Sequence, residues 1–132
     1  MPQKIKPFLM FEGWCEEAMD FYVSLFADAA VTSVSRYGKE GPGAEGSVMQ
    51  ASFEIAGQSF MCIDSPVKHG FTFTPALSLF IDCSDEAEID ALFAKLSEGG
   101  KVLMPLNQYP FARKFGWVAD RFGVSWQLRL QD

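Results

Sequence analysis

The stretch DRFGVSWQL, residues 120–128, has an earlier echo in GQSFM, residues 57–61, and the pair decides how the chain is read. Aligned, Gly57-Gln58-Ser59-Phe60-Met61 stands against Gly123-Val124-Ser125-Trp126-Gln127. A glycine opening a run of alternating side chains is the signature of a hairpin turn entering a strand. Gln127 is a polar residue set between Trp126 and Leu128 in that last strand, so its place in the fold is the question to settle.

Working outward, two segments carry helical periodicity. From Cys15 to Phe26 the apolar Cys15, Ala18, Met19, Tyr22, Leu25 and Phe26 recur at three- and four-residue spacing, with Glu16 and Glu17 in the first turn. A second stripe, Ile89, Leu92, Phe93 and Leu96, is preceded by Ser84 or Asp85 as cap and stopped by Gly99-Gly100. Asp85 and Glu88 have capping-box spacing.

The remainder predicts strands at 4–11, 31–37, 48–55, 58–64, 76–83, 102–104, 114–119 and 124–130. Residues 48–55 alternate, with Met49, Ala51, Phe53 and Ile55 on one face and Gln50, Ser52 and Glu54 on the other. Ala56-Gly57 turns them into the next strand as a hairpin. Each half therefore reads βαβββ, and the helix entries repeat Glu-Ala at 17–18 and 86–87, preceded by Phe11 and Phe80. A duplicated module follows. The whole is expected to be a single domain, 1–132, with module one at about 3–65 and module two at about 75–131.

Composition narrows the function. In 132 residues, 48% are hydrophobic and 21% charged, enough apolar material for a core without staples. The thirteen Phe make much of that core, or of a pocket wall, aromatic. A net charge of −6, with Arg113-Lys114 as the longest basic grouping, excludes a nucleic-acid binder. No apolar run is long enough to span a bilayer, and the start MPQKIKPFLMF lacks the features of a signal peptide. Cys15, Cys62 and Cys83 have neither even number nor CxxC spacing, which predicts free, buried thiols in a cytoplasmic protein.

The segments PFLMFEGWCEEAMDFY, YGKEGPGAEG, GQSFMCID, LSLFIDCSDEAEIDALFAKL, GGKVLMPL and FGWVADRFGVSWQL cover nearly the whole chain. As a set they resemble the PhnB-like group, often labelled 3-demethylubiquinone-9 3-methyltransferase, of the vicinal oxygen chelate (glyoxalase/bleomycin resistance/dioxygenase) superfamily. The resemblance implies an α+β fold of two tandem βαβββ modules. Each would form a curled mixed sheet with its helix on the outer face and a cavity on the inner one. It also implies a homodimer. The apolar faces (Leu77, Leu79, Ile81; Val124, Trp126, Leu128, Leu130; Met49, Phe53, Ile55) would lie under the helices. Gln50, Ser52, Glu54, Ser78, Phe80, Ser125, Gln127 and Arg129 would line the cavity.

Metal-using members of that superfamily close their site with a Glu in a pattern similar to D-x-x-G-x-x-x-E-L, and here Gln127 stands in its place. Through the internal repeat, the other ligand positions fall near Pro7, Met61 and Ala76. None of these can hold a hard cation, so no metal and no cofactor are expected. The methyltransferase label implies S-adenosylmethionine, but GKEGPGAEG joins two strands rather than opening a helix and reads as a flexible flap.

For nucleophilic chemistry the single histidine, His69, has no thiol or hydroxyl partner evident from spacing. Glu54 is the candidate general base, provided aromatic side chains enclose it. Arg129 would pair with an anionic ligand or be solvated. Phe71, Phe73, Tyr109, Phe111, Phe115 and Trp117 would line a pocket or a dimer interface. The functional expectation is a metal-free pocket for a small apolar or aromatic molecule, formed by Gln127, Ser78, Gln50, Arg129, Met61 and Trp117. The alternative is an enzyme of unknown reaction.

Overall fold

The structure, a computed structural model, describes residues 3–131. The chain divides into two compact units, residues 1–69 and 70–132. The first runs β1 (Phe8–Phe11), α1 (Cys15–Ser24), β2 (Ala29–Arg36), β3 (Val48–Ile55), β4 (Gln58–Asp64). The second repeats it as β5 (Ser78–Cys83), α2 (Glu86–Ser97), β6 (Lys101–Tyr109), β7 (Ala112–Ala119), β8 (Ser125–Leu130). The sheets are ordered β1-β4-β3-β2 and β5-β8-β7-β6. In each, the first and last strands of the module pair in parallel and the rest are antiparallel. This is the α+β, twice-βαβββ architecture.

Register agrees with the Met61–Gln127 alignment but corrects that of Phe11 with Phe80: Phe80 is the counterpart of Phe8, and Phe11 that of Cys83, because the two modules differ in the spacing between first strand and helix. Phe8 faces Met61 across β1–β4, and Phe80 faces Gln127 across β5–β8. Met61 and Gln127 therefore hold equivalent places.

Both helices bury the stripe that the periodicity marks. In α1 these are Cys15, Ala18, Met19 and Tyr22, packed over β2, β3 and β4. In α2 they are Ile89, Leu92, Phe93 and Leu96. Opposite them lie Phe53, Phe60 and Cys62 in the first unit, and Val118, Trp126, Leu128 and Leu130 in the second. The ring of Phe93 rests where Gly116 has no side chain, and a Cβ there would overlap it.

The helix starts are secured differently. In α2, the Asp85 side chain accepts from the Glu88 N–H at 2.9 Å, while Glu88 reaches past the cap to the Ser84 N–H at 2.7 Å. Helix α1 has Trp14 at its cap position and no side-chain cap of its own. Asp64, at the end of β4 and 5% exposed, supplies it instead. Its Oδ1 accepts from the N–H groups of Gly13 and Cys15, both at 2.9 Å, and its Oδ2 from Val48 N–H at 3.4 Å. One carboxylate thus ties β4 to the helix start and to the first residue of β3.

Several sequence expectations are corrected. Leu77 is 78% exposed, because it sits in a turn, its N–H bonded to Thr74 O, before β5 begins. Met49 is exposed while Val48 is buried, because the β2–β3 register shifts between Ser35 and Arg36 and reverses the alternation there. Strand β6 runs on to Tyr109 through Pro105, which a sheet edge tolerates. Helix α1 ends at Ser24 rather than Phe26, and β1 begins only after Pro7. The Ala56-Gly57 turn has φ of 51° and 84°, the left-handed pair that a tight two-residue hairpin requires.

Candidate ligand-binding face

Helix α2 covers one side of the β5-β8-β7-β6 sheet, and the side chains of the other side alternate with the buried set. Cross-strand register places Ser78 beside Ser125, Phe80 beside Gln127 and Asp82 beside Arg129. On the next strand, Trp117 faces Gln127 and Phe115 faces Arg129. The uncovered face is therefore a patch of named groups contributed by β5, β8 and β7.

A polar seam crosses it. Trp117 Nε1–H donates to Ser125 Oγ at 2.8 Å, Ser125 Oγ and Ser78 Oγ share a hydrogen bond at 2.7 Å, and Gln127 Nε2 donates to Ser78 Oγ at 3.1 Å. Aromatic rings flank it. Phe80 is 50% exposed and lies 6.5 Å from Phe115, which in turn meets Tyr109 and Phe111 edge-on at 5.9 and 5.0 Å. Beside them, Arg129 lies over the Phe80 ring at 5.1 Å. Its guanidinium is held by Asp82, through Nε at 2.8 Å and Nη2 at 2.7 Å. Arg129 is thus neither free for an anion nor merely solvated.

Of the six expected ligand-binding residues, the structure gathers Gln127, Ser78, Trp117 and Arg129 on this one face. Met61 and Gln50 belong to the other unit's sheet, where Met61 stands between Phe8 and Ser52, and Gln50 is exposed opposite Ser35. Ser125, expected to line the cavity, is the buried centre of the seam; Asp82, the partner of Arg129, was missed. Period two from Ser78 through Phe80 to Asp82 carried that signal.

The catalytic candidates are not assembled. Glu54 is exposed near the end of the β3–β4 hairpin, opposite Ser59, rather than enclosed as a general base would require. His69 does reach a hydroxyl, which the spacing had not suggested: its Nε2 is 2.9 Å from Ser65 Oγ. That hydroxyl also accepts from the Val67 N–H at 3.2 Å and donates to Val67 O at 2.8 Å, so it closes a turn. The three thiols are fully buried. The Cys15 thiol is held far above its usual range, first by a hydrogen bond with Cys62 and then by burial. Burial, with nearby carboxylates, pushes Cys83 up to about 12. Neither is a nucleophile near neutrality.

The loop expected as a flap is folded upon itself. Gly46 N–H bonds Tyr37 O, Tyr37 N–H bonds Ser47 O, and the Tyr37 hydroxyl donates to Asp64 O at 2.8 Å. Gly43 packs so closely that an added Cβ would meet the Tyr37 ring at 2.6 Å.

The fold is similar to that of glyoxalase/bleomycin resistance/dioxygenase proteins. A solved protein of that description from Alicyclobacillus acidocaldarius superposes with a TM-score of 0.58 at 14% identity, over 97% of this chain and 90% of that one. The chain belongs to the 3-demethylubiquinone-9 3-methyltransferase family, whose model matches residues 3–129. The PhnB protein from Bacillus cereus is 59% identical, with a TM-score of 0.96 over 98% of this chain and 100% of that one. Protein YjdN of Escherichia coli (strain K12) is 25% identical over 140 residues, 96% of this chain and 94% of its own.

The residues fit neither group these names imply. A divalent ion needs anionic or imidazole donors, and Gln127 has two hydroxyls and an indole N–H around it. The nearest carboxylate on that face, Asp82, is bound to Arg129. Among the described residues no three His, Cys, Asp or Glu side chains cluster. For S-adenosylmethionine, the glycine-rich segment lies between β2 and β3 and opens no helix. Also among the described residues, no helix is long and apolar enough to cross a membrane.

Proposed function

We propose that this chain binds a small, flat, largely apolar molecule on the uncovered face of the β5-β8-β7-β6 sheet, without a metal. The observation that carries the reading is the seam of Gln127, Ser78, Ser125 and Trp117, set beside the exposed ring of Phe80. Apolar surface with a few fixed polar groups is how small-molecule sites are built. Among the described residues the thiols are buried and Glu54 is exposed, which favours binding over turnover. The exposed Phe71, Leu77 and Phe111 support pairing of two copies. The unpaired buried thiols suit a reducing, cytoplasmic setting.

The test is a thermal-shift screen of chelator-treated protein against flat aromatic compounds, with Mg²⁺, Mn²⁺, Fe²⁺, Ni²⁺ and Zn²⁺ as separate arms. A ligand at about 100 times its dissociation constant stabilises by roughly 2.7 kcal/mol. A saturable shift with an organic compound, weakened by Gln127→Leu, is the expected result. A large shift with one metal, lost in Gln127→Leu, overturns the metal-free reading.

A further inference from the structure

We propose that the ligand of this face is an uncharged molecule bearing a hydrogen-bond acceptor, of the aromatic ketone, amide or lactam class. The proposal rests on the reading above and follows from the protons of the seam.

Trp117 brings one N–H, each serine one O–H, and Gln127 two N–H hydrogens, which makes five donor hydrogens. The seam holds three hydrogen bonds, and among the described residues these side chains make no others. Two donor hydrogens are therefore left over, whichever way the Gln127 amide is turned.

Their position is also fixed. An indole can only donate, so Ser125 accepts from Trp117. Ser125 is 2% exposed, and an unpaired O–H there would be costly. Ser125 therefore directs its own proton to Ser78. With the amide as placed, Ser78 then accepts from both Ser125 and Gln127, and its own O–H points outward beside the second amide hydrogen. With the amide turned over, Ser78 donates to the Gln127 oxygen and both amide hydrogens point outward. Either way the chain runs from Trp117 to an open end rich in donors, at Ser78 and Gln127.

Donors call for an acceptor oxygen or nitrogen. The charge of that acceptor follows from the cation beside Phe80: Arg129 is already paired with Asp82 at 2.7 Å, so an anion docking at the seam meets a compensated charge there. A neutral carbonyl satisfies both conditions, and the exposed Phe80 ring offers its plane a surface.

The test compares matched probes: fluorene, 9-fluorenone and fluorene-9-carboxylate, with tetralin and 1-tetralone as a smaller pair. Affinities are measured by calorimetry, and the Trp117 indole N–H is followed by NMR. Each ketone should bind about tenfold or more tighter than its hydrocarbon, and fluorenone tighter than the carboxylate. In the Ser78→Ala, Gln127→Leu double variant the preference should vanish while the hydrocarbons still bind. Equal binding of ketone and hydrocarbon overturns the inference and leaves the binding face standing. Tighter binding of the carboxylate overturns the neutral-ligand half. If no probe moves the Trp117 signal, the binding face falls and the inference with it.

Discussion

Replacing Asp64 by Ala should be among the most damaging single substitutions in the first unit. The carboxylate is 5% exposed and accepts from three backbone N–H groups, two at 2.9 Å and one at 3.4 Å. Removing it strands donors at the start of α1, which has no side-chain cap of its own. A hydrogen bond to a charged group contributes about 1.5–3 kcal/mol, and a donor left buried and unpaired costs about 1–3 kcal/mol. Loss of a negative charge at a helix N-terminus adds about 0.3–1 kcal/mol. The two short bonds dominate, so the expected loss is about 3–5 kcal/mol, a large share of the roughly 5–15 kcal/mol that holds a domain together. Asp64→Asn keeps one acceptor oxygen for Gly13 and Cys15 but turns an NH₂ toward Val48, and should lose about half as much. Urea unfolding measures this, with Trp14 reporting on the first unit and Trp117 and Trp126 on the second. An Asp64→Ala protein within about 1 kcal/mol of the parent would refute the argument that this carboxylate caps the helix.

Gly116→Ala should destabilise by about 1–3 kcal/mol through overpacking against Phe93, and a paired Phe93→Leu change should recover part of it; no recovery would remove the steric cause. Cys83 should make stability fall at alkaline pH. Its folded thiol is pushed up to about 12 from an ordinary 9.0, so the unfolded chain ionises first and the stability it contributes is lost from pH 9 upward. Melting temperature against pH should therefore decline less steeply in Cys83→Val, and an unchanged slope would contradict it. A disulfide-exchange reagent should label none of the three thiols in the folded protein within minutes and all three in denaturant. Rapid labelling of the native chain would show that α1 or α2 opens readily.

The elements that the sequence made legible were those whose periodicity was uninterrupted. Strands β3 and β4 begin and end where alternation and the Ala56-Gly57 turn place them. The Asp85 cap and the double glycine bracket α2 for the same reason. Met49 and Leu77 were misplaced because each stands next to an irregularity, a register shift and a turn, that a period-two count passes over. The strand expected at 102–104 runs on past Pro105 because its edge position, which tolerates proline, is a fact of sheet order that no local pattern contains. The site divides likewise. Alternation shows that Gln127, Ser78 and Arg129 share a face with one another, and that Gln50 shares one with Glu54. It does not say that Gln50 and Met61 lie on a separate sheet from the first three. The Asp64 cap joins residues about fifty positions apart, beyond any capping motif read along the chain.

The equivalence of Met61 and Gln127 gives the molecule an internal blank. At matching places of matching sheets, one copy of the module presents Phe8 and Met61, the other Phe80 and Gln127. Where the second copy sets the indole of Trp117, the first has Ser52. A greasy compound that simply adheres to an uncovered sheet should perturb both copies alike, whereas one that is recognised should perturb only the second. Selectivity can thus be scored within one sample of one protein, copy against copy. Duplication leaves the experimenter a control that no added variant could match so closely.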